Sequence, residues 1–305
     1  MEPVAARPAG AAAGPITAGI VLQAIRPRTL TAAIAPVLVA TAFAAANGIA
    51  RFGAAAACLL SALLIQVGTN LANDYYDYQK GADNHERVGP QRVTQAGLVP
   101  PGTVKRWAFA TFGAAAAVGI YLALLGGWPI LLVGICSIAS GWAYTGGPYP
   151  LGYHGLGDLF VMVFFGFVAT LGTYWVQAGA LPSALWLLAV PVGALATAIL
   201  VVNNLRDRLT DAKAGKRTLA VRLGAGAAKA EYLLCLLAAF ATPVLLAATG
   251  RARPWVLLPL AALPLVVPPL KLVLGAEGPA LNPALGGTAR VQLAFAFLLA
   301  LGLLL

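Results

Sequence analysis

Apolar residues along this chain fall into long runs that short polar segments separate. The runs are about 18 to 22 residues long, close to the length that an α-helix needs to cross the hydrocarbon core of a bilayer. A backbone inside a membrane must satisfy its own polar groups, so these runs predict helices. We predict nine spans, near residues 30–49, 54–73, 107–126, 128–145, 158–178, 184–204, 231–249, 255–274 and 288–305.

Composition agrees with this pattern. The chain has 305 residues, of which 60% are hydrophobic and 10% charged, whereas charged residues make up about a quarter of a soluble domain. The predicted fold class is therefore all-α, a polytopic membrane bundle of about nine transmembrane helices with cytoplasmic caps over a central cavity. Residues 1–25, rich in Ala, Pro and Gly, are predicted to be a disordered cytoplasmic tail before a single domain at 26–305.

The distribution of charge predicts the orientation. With the N-terminus in the cytoplasm, every Lys and Arg except Arg51, Arg251 and Arg253 lies on the cytoplasmic side, which satisfies the positive-inside rule. The same assignment places all ten acidic residues there. The net charge of +10 thus reflects topology in a cell membrane, and nucleic acid is not an expected partner.

The segment from Asn70 to Gln95, NLANDYYDYQKGADNHERVGPQRVTQ, follows the second apolar run. It holds four of the ten acidic residues, namely Asp74, Asp77, Asp83 and Glu86. If the helix continues through this segment, Asn70, Asp74 and Asp77 stand at i, i+4 and i+7 and share one face. That face is a candidate cation site.

A second segment, Asn203 to Gly224, repeats the pattern after the sixth apolar run. Asn203, Asp207 and Asp211 stand at i, i+4 and i+8, again on one helical face. Either segment alone is compatible with an ordinary polar helix end at the water interface. The recurrence of the same Asn and Asp face favours a pair of binding motifs.

Two carboxylate faces with basic loops suit a polyanion that metal ions bridge. Mg²⁺ takes oxygen ligands and commonly binds through one or two carboxylates plus phosphate oxygens. The candidate metal ligands are Asn70, Asn73, Asp74, Asp77, Asp83, Asn203, Asp207 and Asp211. Lys and Arg side chains would neutralise the remaining phosphate charge. The candidate diphosphate-binding residues are Arg28, which we prefer to Arg26, with Lys80, Arg87, Arg92, Arg206, Lys213, Lys216 and Arg217; Tyr144 is a candidate pocket residue.

Three stretches resemble the UbiA superfamily of intramembrane aromatic prenyltransferases: NDYYDYQKGADNHERVGPQRVTQAG, YTGGPYPLGYHGLGDLFVMVFFG and NNLRDRLTDAKAGKRTLAVRLG. The resemblance implies that aspartate-rich motifs on the second and sixth helices bind a polyprenyl diphosphate through Mg²⁺ at the cytoplasmic mouth of a helical bundle. The candidate catalytic residues are Asp74, Asp77, Asp207 and Asp211 of these motifs, together with Tyr144. One departure is that position 78 is Tyr, although much of the superfamily spaces its first aspartates four apart.

Within the superfamily, the stretches look like the branch that prenylates 1,4-dihydroxy-2-naphthoate in menaquinone synthesis. This implies transfer of a polyprenyl group with loss of CO₂ and diphosphate, giving demethylmenaquinol. Arg28, Lys80 and Arg92 are candidates for orienting the acceptor carboxylate. One alternative is another aromatic acceptor, 4-hydroxybenzoate or homogentisate. A cation-coupled transporter is the other, but its carboxylates are expected nearer the bilayer midplane.

Overall fold

The computed structural model describes residues 15–84 and 87–305, and all regular secondary structure in these ranges is helical. The prediction of an all-α fold is confirmed. The helices are α1 (Ala18–Ile25), α2 (Thr31–Ala46), α3 (Phe52–Gln79), α4 (Pro101–Gly126), α5 (Trp128–Ala143), α6 (Gly157–Ala178), α7 (Ser183–Lys213), α8 (Leu219–Ala248), α9 (Pro254–Gly275) and α10 (Gly278–Leu304).

The number of membrane spans is smaller than nine by the criterion of length and composition. Among the described residues, seven helices are long and apolar enough to span, namely α3, α4 and α6 to α10. An eighth span results if Ala18–Thr29 and α2, which meet at a bend of 53°, are counted as one. α5 has 16 residues, about 24 Å of helix, which falls short of a hydrocarbon core of about 30 Å. The multi-pass architecture is confirmed, and the count of nine is not.

α7 is the central helix of the bundle. Most of its apolar stretch is buried by neighbouring helices, whereas most of the apolar stretch of α4 is exposed on the outer surface. α6 and α7 approach closely where Gly166 faces Gly193, since a Cβ on Gly166 would lie 2.8 Å from the Cα of Gly193. Small residues at a helix contact allow such close packing in membranes. This contact lies within the π-helical segment Met162–Val168 of α6.

Part of the segment predicted to be a disordered tail is a helix. Residues 1–14 of that segment, together with His85 and Glu86 of the first motif, lie outside the described residues. From Ala18 to Ile25 the chain forms α1, whose N-terminus is capped by the hydroxyl of Thr17. The Nδ2 of Asn70 donates a hydrogen bond of 2.8 Å to the carbonyl of Ile25, so the end of α1 is fastened to α3.

Both polar motifs continue the helices that precede them, as predicted. α3 ends at Gln79 and is about 42 Å long, and α7 ends at Lys213. Both helices are longer than the hydrocarbon core of a bilayer is thick, so the last turns of both project beyond it. The projecting turns carry Asp77 on α3 and Asp211 on α7, and both residues line one cavity.

Candidate active site at the meeting of two acidic motifs

A cavity of about 330 Å³ lies among α2 to α7. One part of its wall is charged and includes Asp77, Asp207 and Asp211. The part of the wall that lies away from these carboxylates is apolar. It includes Cys58, Leu122, Ile130 and Val176, which pack in one hydrophobic cluster. Asp77 and Cys58 are separated by about 28 Å along the axis of α3. The cavity therefore joins a polar chamber to an apolar channel that extends deep into the bundle.

Asp77 is the most heavily contacted carboxylate of the first motif. Its Oδ1 accepts a hydrogen bond of 2.9 Å from the hydroxyl of Tyr153. Its Oδ2 lies 3.1 Å from the Nζ of Lys216 and 3.8 Å from a guanidinium nitrogen of Arg92. Asp77 is buried with 2% of its surface exposed, so its charge is neutralised by side chains from two different loops.

In the second motif, the guanidinium of Arg206 donates two hydrogen bonds, of 2.8 and 2.6 Å, to the carboxylate of Asp207. Arg206 also donates to the Oδ1 of Asn203 at 2.7 Å and to the Oδ1 of Asn282 at 3.2 Å. Such a bidentate pair is geometrically specific, so Arg206 fixes the Asp207 carboxylate at the cavity wall. Asp211 is one turn further along α7, with its Oδ1 3.9 Å from the Nζ of Lys216.

Two predicted metal ligands lie away from the cavity and support the loop after α3 instead. The carboxylate of Asp74 accepts hydrogen bonds of 3.2 Å from the backbone amides of Val93 and Thr94. Asp83 forms an ion pair with Arg87 and lies 3.2 Å from the Nε of Arg92. Burial raises the pKa of Asp83 to about 6 against the opposing effect of Arg87. Neither carboxylate lines the cavity.

The three asparagines predicted as metal ligands, Asn70, Asn73 and Asn203, all line the cavity. Besides its bond to Ile25, the Nδ2 of Asn70 donates to the hydroxyl of Thr29 at 2.9 Å. The Oδ1 of Asn73 accepts a hydrogen bond of 2.8 Å from Thr145, in the loop after α5. Asn70 and Asn73 therefore connect α3 to the segments on either side of it.

The predicted diphosphate-binding residues divide into two groups. Arg87, Arg92 and Lys216 line the cavity. The others do not: Arg28, Lys80, Lys213 and Arg217 are exposed, and Arg206 is buried against Asp207. Tyr144, the candidate pocket residue, lines the cavity.

The preference for Arg28 over Arg26 is not supported. Arg26 lines the cavity, and its guanidinium donates a hydrogen bond of 3.1 Å to the carbonyl of Asn70. Its backbone has a φ of 58°, a left-handed conformation that is uncommon outside glycine. This conformation ends α1 and gives Arg26 and Arg28 different environments. The helical pattern of the sequence contains no signal for such a turn.

Lys80 and Lys216 lie over the ring of Tyr153, with their ammonium nitrogens 4.6 and 5.0 Å from its centroid. Partial desolvation of the ammonium lowers the pKa of Lys80, whose Nζ also donates to the carbonyl of Thr145 at 2.6 Å. For Lys216, burial lowers the pKa, but the charges of Asp77, Asp211 and Asp83 outweigh this effect and raise it above its usual value. Lys216 is therefore a full positive charge at neutral pH.

The oxygen donors on the cavity wall suit Mg²⁺. Across residues 15–84 and 87–305, no group of three Asp, Glu, His or Cys side chains could hold a metal ion unaided. The wall nevertheless presents Asp77 from α3 and Asp207 and Asp211 from α7. Because Mg²⁺ binds through one or two carboxylates and completes its shell with phosphate oxygens and water, this donor set fits a metal that arrives with a phosphorylated ligand.

Tyr153 and Asn282 belong to the site but are not among the candidate site residues named from the sequence. Tyr153 was indicated only by its position in a loop without Lys or Arg between two strongly charged motifs. Asn282 is at the start of the last helix, far from both motifs in sequence, and it joins Arg206 to the carbonyl of Val88. No local pattern marks it, since its role depends on the packing of α10 against α7.

A sequence model of the UbiA prenyltransferase family matches residues 33–274. Among curated proteins, the chain is similar to the 1,4-dihydroxy-2-naphthoate octaprenyltransferase of Mycobacterium tuberculosis. The two are 42% identical over 277 residues, which cover 90% of this chain and 93% of the relative.

Solved structures share the fold at low sequence identity. The apo structure of a UbiA homologue from Aeropyrum pernix K1 has a TM-score of 0.65 and 16% identity, and the match covers 94% of this chain and 98% of that one. A UbiA homologue from Archaeoglobus fulgidus bound to GPP and Mg²⁺ has a TM-score of 0.60 and 16% identity, with 92% and 99% covered. The bundle around the cavity is therefore an arrangement already known from other chains.

Proposed function

This chain belongs to the UbiA prenyltransferase family, and we propose that it transfers a polyprenyl group from polyprenyl diphosphate to 1,4-dihydroxy-2-naphthoate. Diphosphate and CO₂ leave, and demethylmenaquinol is formed. The observation that carries the proposal is the cavity, in which both acidic motifs meet at the mouth of an apolar channel. The choice of acceptor is supported by the similarity to the 1,4-dihydroxy-2-naphthoate octaprenyltransferase of M. tuberculosis, which covers 93% of that protein.

The charged part of the cavity is suited to the diphosphate. Arg87, Arg92 and Lys216 supply positive charge there, and Asp77, Asp207 and Asp211 supply oxygen ligands for Mg²⁺. Bound Mg²⁺ would stabilise the negative charge that develops on the leaving diphosphate. The fold relative that carries GPP and Mg²⁺ supports this choice of ion.

The apolar part of the cavity is suited to the prenyl chain and to its reactive carbon. Phe160, Phe164 and Phe165 line the wall on α6. As the allylic carbon–oxygen bond breaks, its electron pair leaves with the diphosphate and an allylic cation remains. Aromatic rings attract cations, and an apolar wall keeps water from capturing this one.

The ring carbon that bears the carboxylate attacks the allylic cation. The electron pair of the bond to the carboxylate then returns to the ring, and CO₂ departs. The balance requires no proton from the protein when the acceptor enters as the carboxylate. Orientation of the acceptor is thus the main task of the surrounding side chains.

Arg26 is the side chain that best suits the acceptor carboxylate. It lines the cavity, and it forms no ion pair with any described residue, unlike the other cavity arginines, Arg87 and Arg92. Its planar guanidinium can bind a carboxylate through two parallel hydrogen bonds. Its hydrogen bond to the carbonyl of Asn70 places it beside the first motif, next to the proposed diphosphate site.

The charged mouth of the cavity is proposed to face the cytoplasm. The segments around it, 81–106 and 208–229, hold much of the positive charge of the chain, and the positive-inside rule places such segments in the cytoplasm. Water-soluble naphthoate and Mg²⁺ would then enter from that side.

The test is a prenylation assay with membranes, a long-chain prenyl diphosphate, Mg²⁺ and carboxyl-labelled 1,4-dihydroxy-2-naphthoate. We expect labelled CO₂ and a demethylmenaquinone-type product, and neither when Mg²⁺ is removed by a chelator. Carboxyl-labelled 4-hydroxybenzoate is the matched control and should give little product. Efficient prenylation of hydroxybenzoate with no reaction of the naphthoate would contradict the proposed acceptor, and the family assignment would still hold.

A further inference from the structure

One ammonium group connects the two acidic motifs. The Nζ of Lys216 lies 3.1 Å from Asp77 on α3 and 3.9 Å from Asp211 on α7. Lys216 itself belongs to neither helix, since it is in the short segment between α7 and α8. A positive charge from the chain therefore stands between the carboxylates to which the proposed function assigns Mg²⁺.

The surroundings of Lys216 favour a charge at this position. Asp77 is buried, and two negative carboxylates in one cavity repel each other unless a cation lies between them. The ring of Tyr153, 5.0 Å from the ammonium, adds a further attraction. The ammonium thus stabilises both motifs when no ligand is bound.

Lys216 and Arg206 differ in how firmly they are held. Arg206 binds Asp207 through two hydrogen bonds and is also held by Asn203 and Asn282, so its guanidinium is fixed on several sides. Lys216 carries a point charge on a flexible stem, and its chain segment follows Gly215, which has a φ of 76°. Of the two, Lys216 is the side chain that can leave its carboxylates more easily, because its departure breaks two ion pairs and that of Arg206 breaks four hydrogen bonds.

We propose that the ammonium of Lys216 occupies the position of the metal in the substrate-free enzyme. When substrate binds, the ammonium leaves this position to the metal and moves to the diphosphate. This inference rests on the proposed function, since it requires Mg²⁺ and diphosphate at the two motifs. The ammonium competes with a divalent ion that arrives alone. It cooperates with a divalent ion that arrives with diphosphate, because it then moves from the carboxylates to the phosphate oxygens.

The proposal predicts two effects of opposite sign from one substitution. Lys216→Met removes the charge but keeps an apolar stem of similar length. Binding of a divalent ion alone should become tighter by about five-fold or more, the size expected for release of a partly screened ion pair. Binding of diphosphate in the presence of the ion should become weaker by about ten-fold, because a charge-assisted contact is lost.

The measurement uses the full-length protein in nanodiscs, with Mn²⁺ as the probe and free Mn²⁺ counted by electron paramagnetic resonance. The first titration contains Mn²⁺ alone, and the second contains a fixed, sub-saturating concentration of Mn²⁺ with increasing pyrophosphate. Empty nanodiscs under the same conditions correct for the Mn²⁺ that pyrophosphate itself binds. Arg208→Gln is the control, since it removes one positive charge from the same end of α7 at a side chain that does not line the cavity. It should match the wild type in both titrations. Lys216→Gln gives a second test if the Met variant does not fold.

The outcomes separate the two proposals. If both Lys216 variants bind Mn²⁺ alone no more tightly than the wild type while pyrophosphate still promotes Mn²⁺ binding, the displacement is wrong and the proposed function stands. Equal tightening in Arg208→Gln would also overturn the displacement, because net charge would then explain the effect. If no protein binds Mn²⁺ with or without pyrophosphate, the proposed function fails and this inference fails with it.

Discussion

Asp74 and Asp77 lie on the same face of α3, three residues apart, yet their carboxylates have different surroundings. Asp74 accepts hydrogen bonds from two backbone amides of a neighbouring loop, and Asp77 lines the cavity with Lys216 and Tyr153. The difference arises because the loop after α3 folds back over one side of the helix end. A residue pattern that predicts a shared face thus does not predict a shared function.

At the scale of single residues, we predict that Asp207→Asn and Asp211→Asn each lower kcat by about 100-fold or more. The amide keeps the shape of the side chain but removes the negative charge that a metal requires. Turnover of purified variants, measured across a range of Mg²⁺ concentrations, tests this. Circular dichroism should show unchanged helix content.

Glu277→Gln is the matched control for these variants. Glu277 is exposed at the start of the last helical segment and does not line the cavity, so its substitution should leave turnover unchanged. Full activity of either aspartate variant at ordinary Mg²⁺ concentrations would contradict the metal role.

Three loops, rather than the helices themselves, close the charged part of the cavity. The uncharged loop between α5 and α6 contacts both neighbours: Thr145 accepts from Lys80, and the carbonyl of Tyr153 accepts from the backbone amide of Arg217 at 2.8 Å. Its lack of Lys and Arg is explained by this position, because it is packed between two basic loops. Additional positive charge there would repel both of them.

At the scale of elements, Asp74→Ala should loosen the loop from Arg87 to Val99 without unfolding the bundle. The amides of Val93 and Thr94 would lose their acceptor in a buried site, at a cost of about 2 to 4 kcal/mol. We expect tryptic cleavage after Arg87 or Arg92 to become at least about ten-fold faster in the purified protein.

Gln79→Ala is the control for the loop, since Gln79 is exposed at the end of the same helix. It should be cleaved at the wild-type rate. Unchanged cleavage of the Asp74 variant would show that the two hydrogen bonds do not hold the loop in place.

On the scale of the whole molecule, the two ends of the bundle differ in charge. α2 begins near Arg26 at the cavity mouth and ends at Ala46, so Ala46 lies at the opposite end of the bundle. Ala212 lies at the end of α7 that carries Asp211, on the side of the cavity mouth. The positive-inside rule assigns the end with Ala212 to the cytoplasm. Ala46 and Ala212 are both exposed, so each can report on one side of the membrane.

We predict that an impermeant thiol reagent labels Ala46→Cys in intact cells and labels Ala212→Cys only after the cells are permeabilised. The three native cysteines are replaced by Ala in this background so that each variant carries one thiol. Labelling of Ala212→Cys from outside would reverse the proposed orientation.

The sequence by itself determined the membrane class, the helical fold and the pairing of two acidic helical faces. These properties follow from local periodicity and hydrophobicity, which a chain carries whatever its tertiary contacts. The choice among the polar residues was made only by the tertiary structure. It turned Asp74 and Asp83 toward a loop, placed Arg26 rather than Arg28 on the cavity, and brought Tyr153 and Asn282 into the site. Those outcomes depend on a left-handed turn and on loops that meet across distant helices, and such contacts have no periodic signature along the chain.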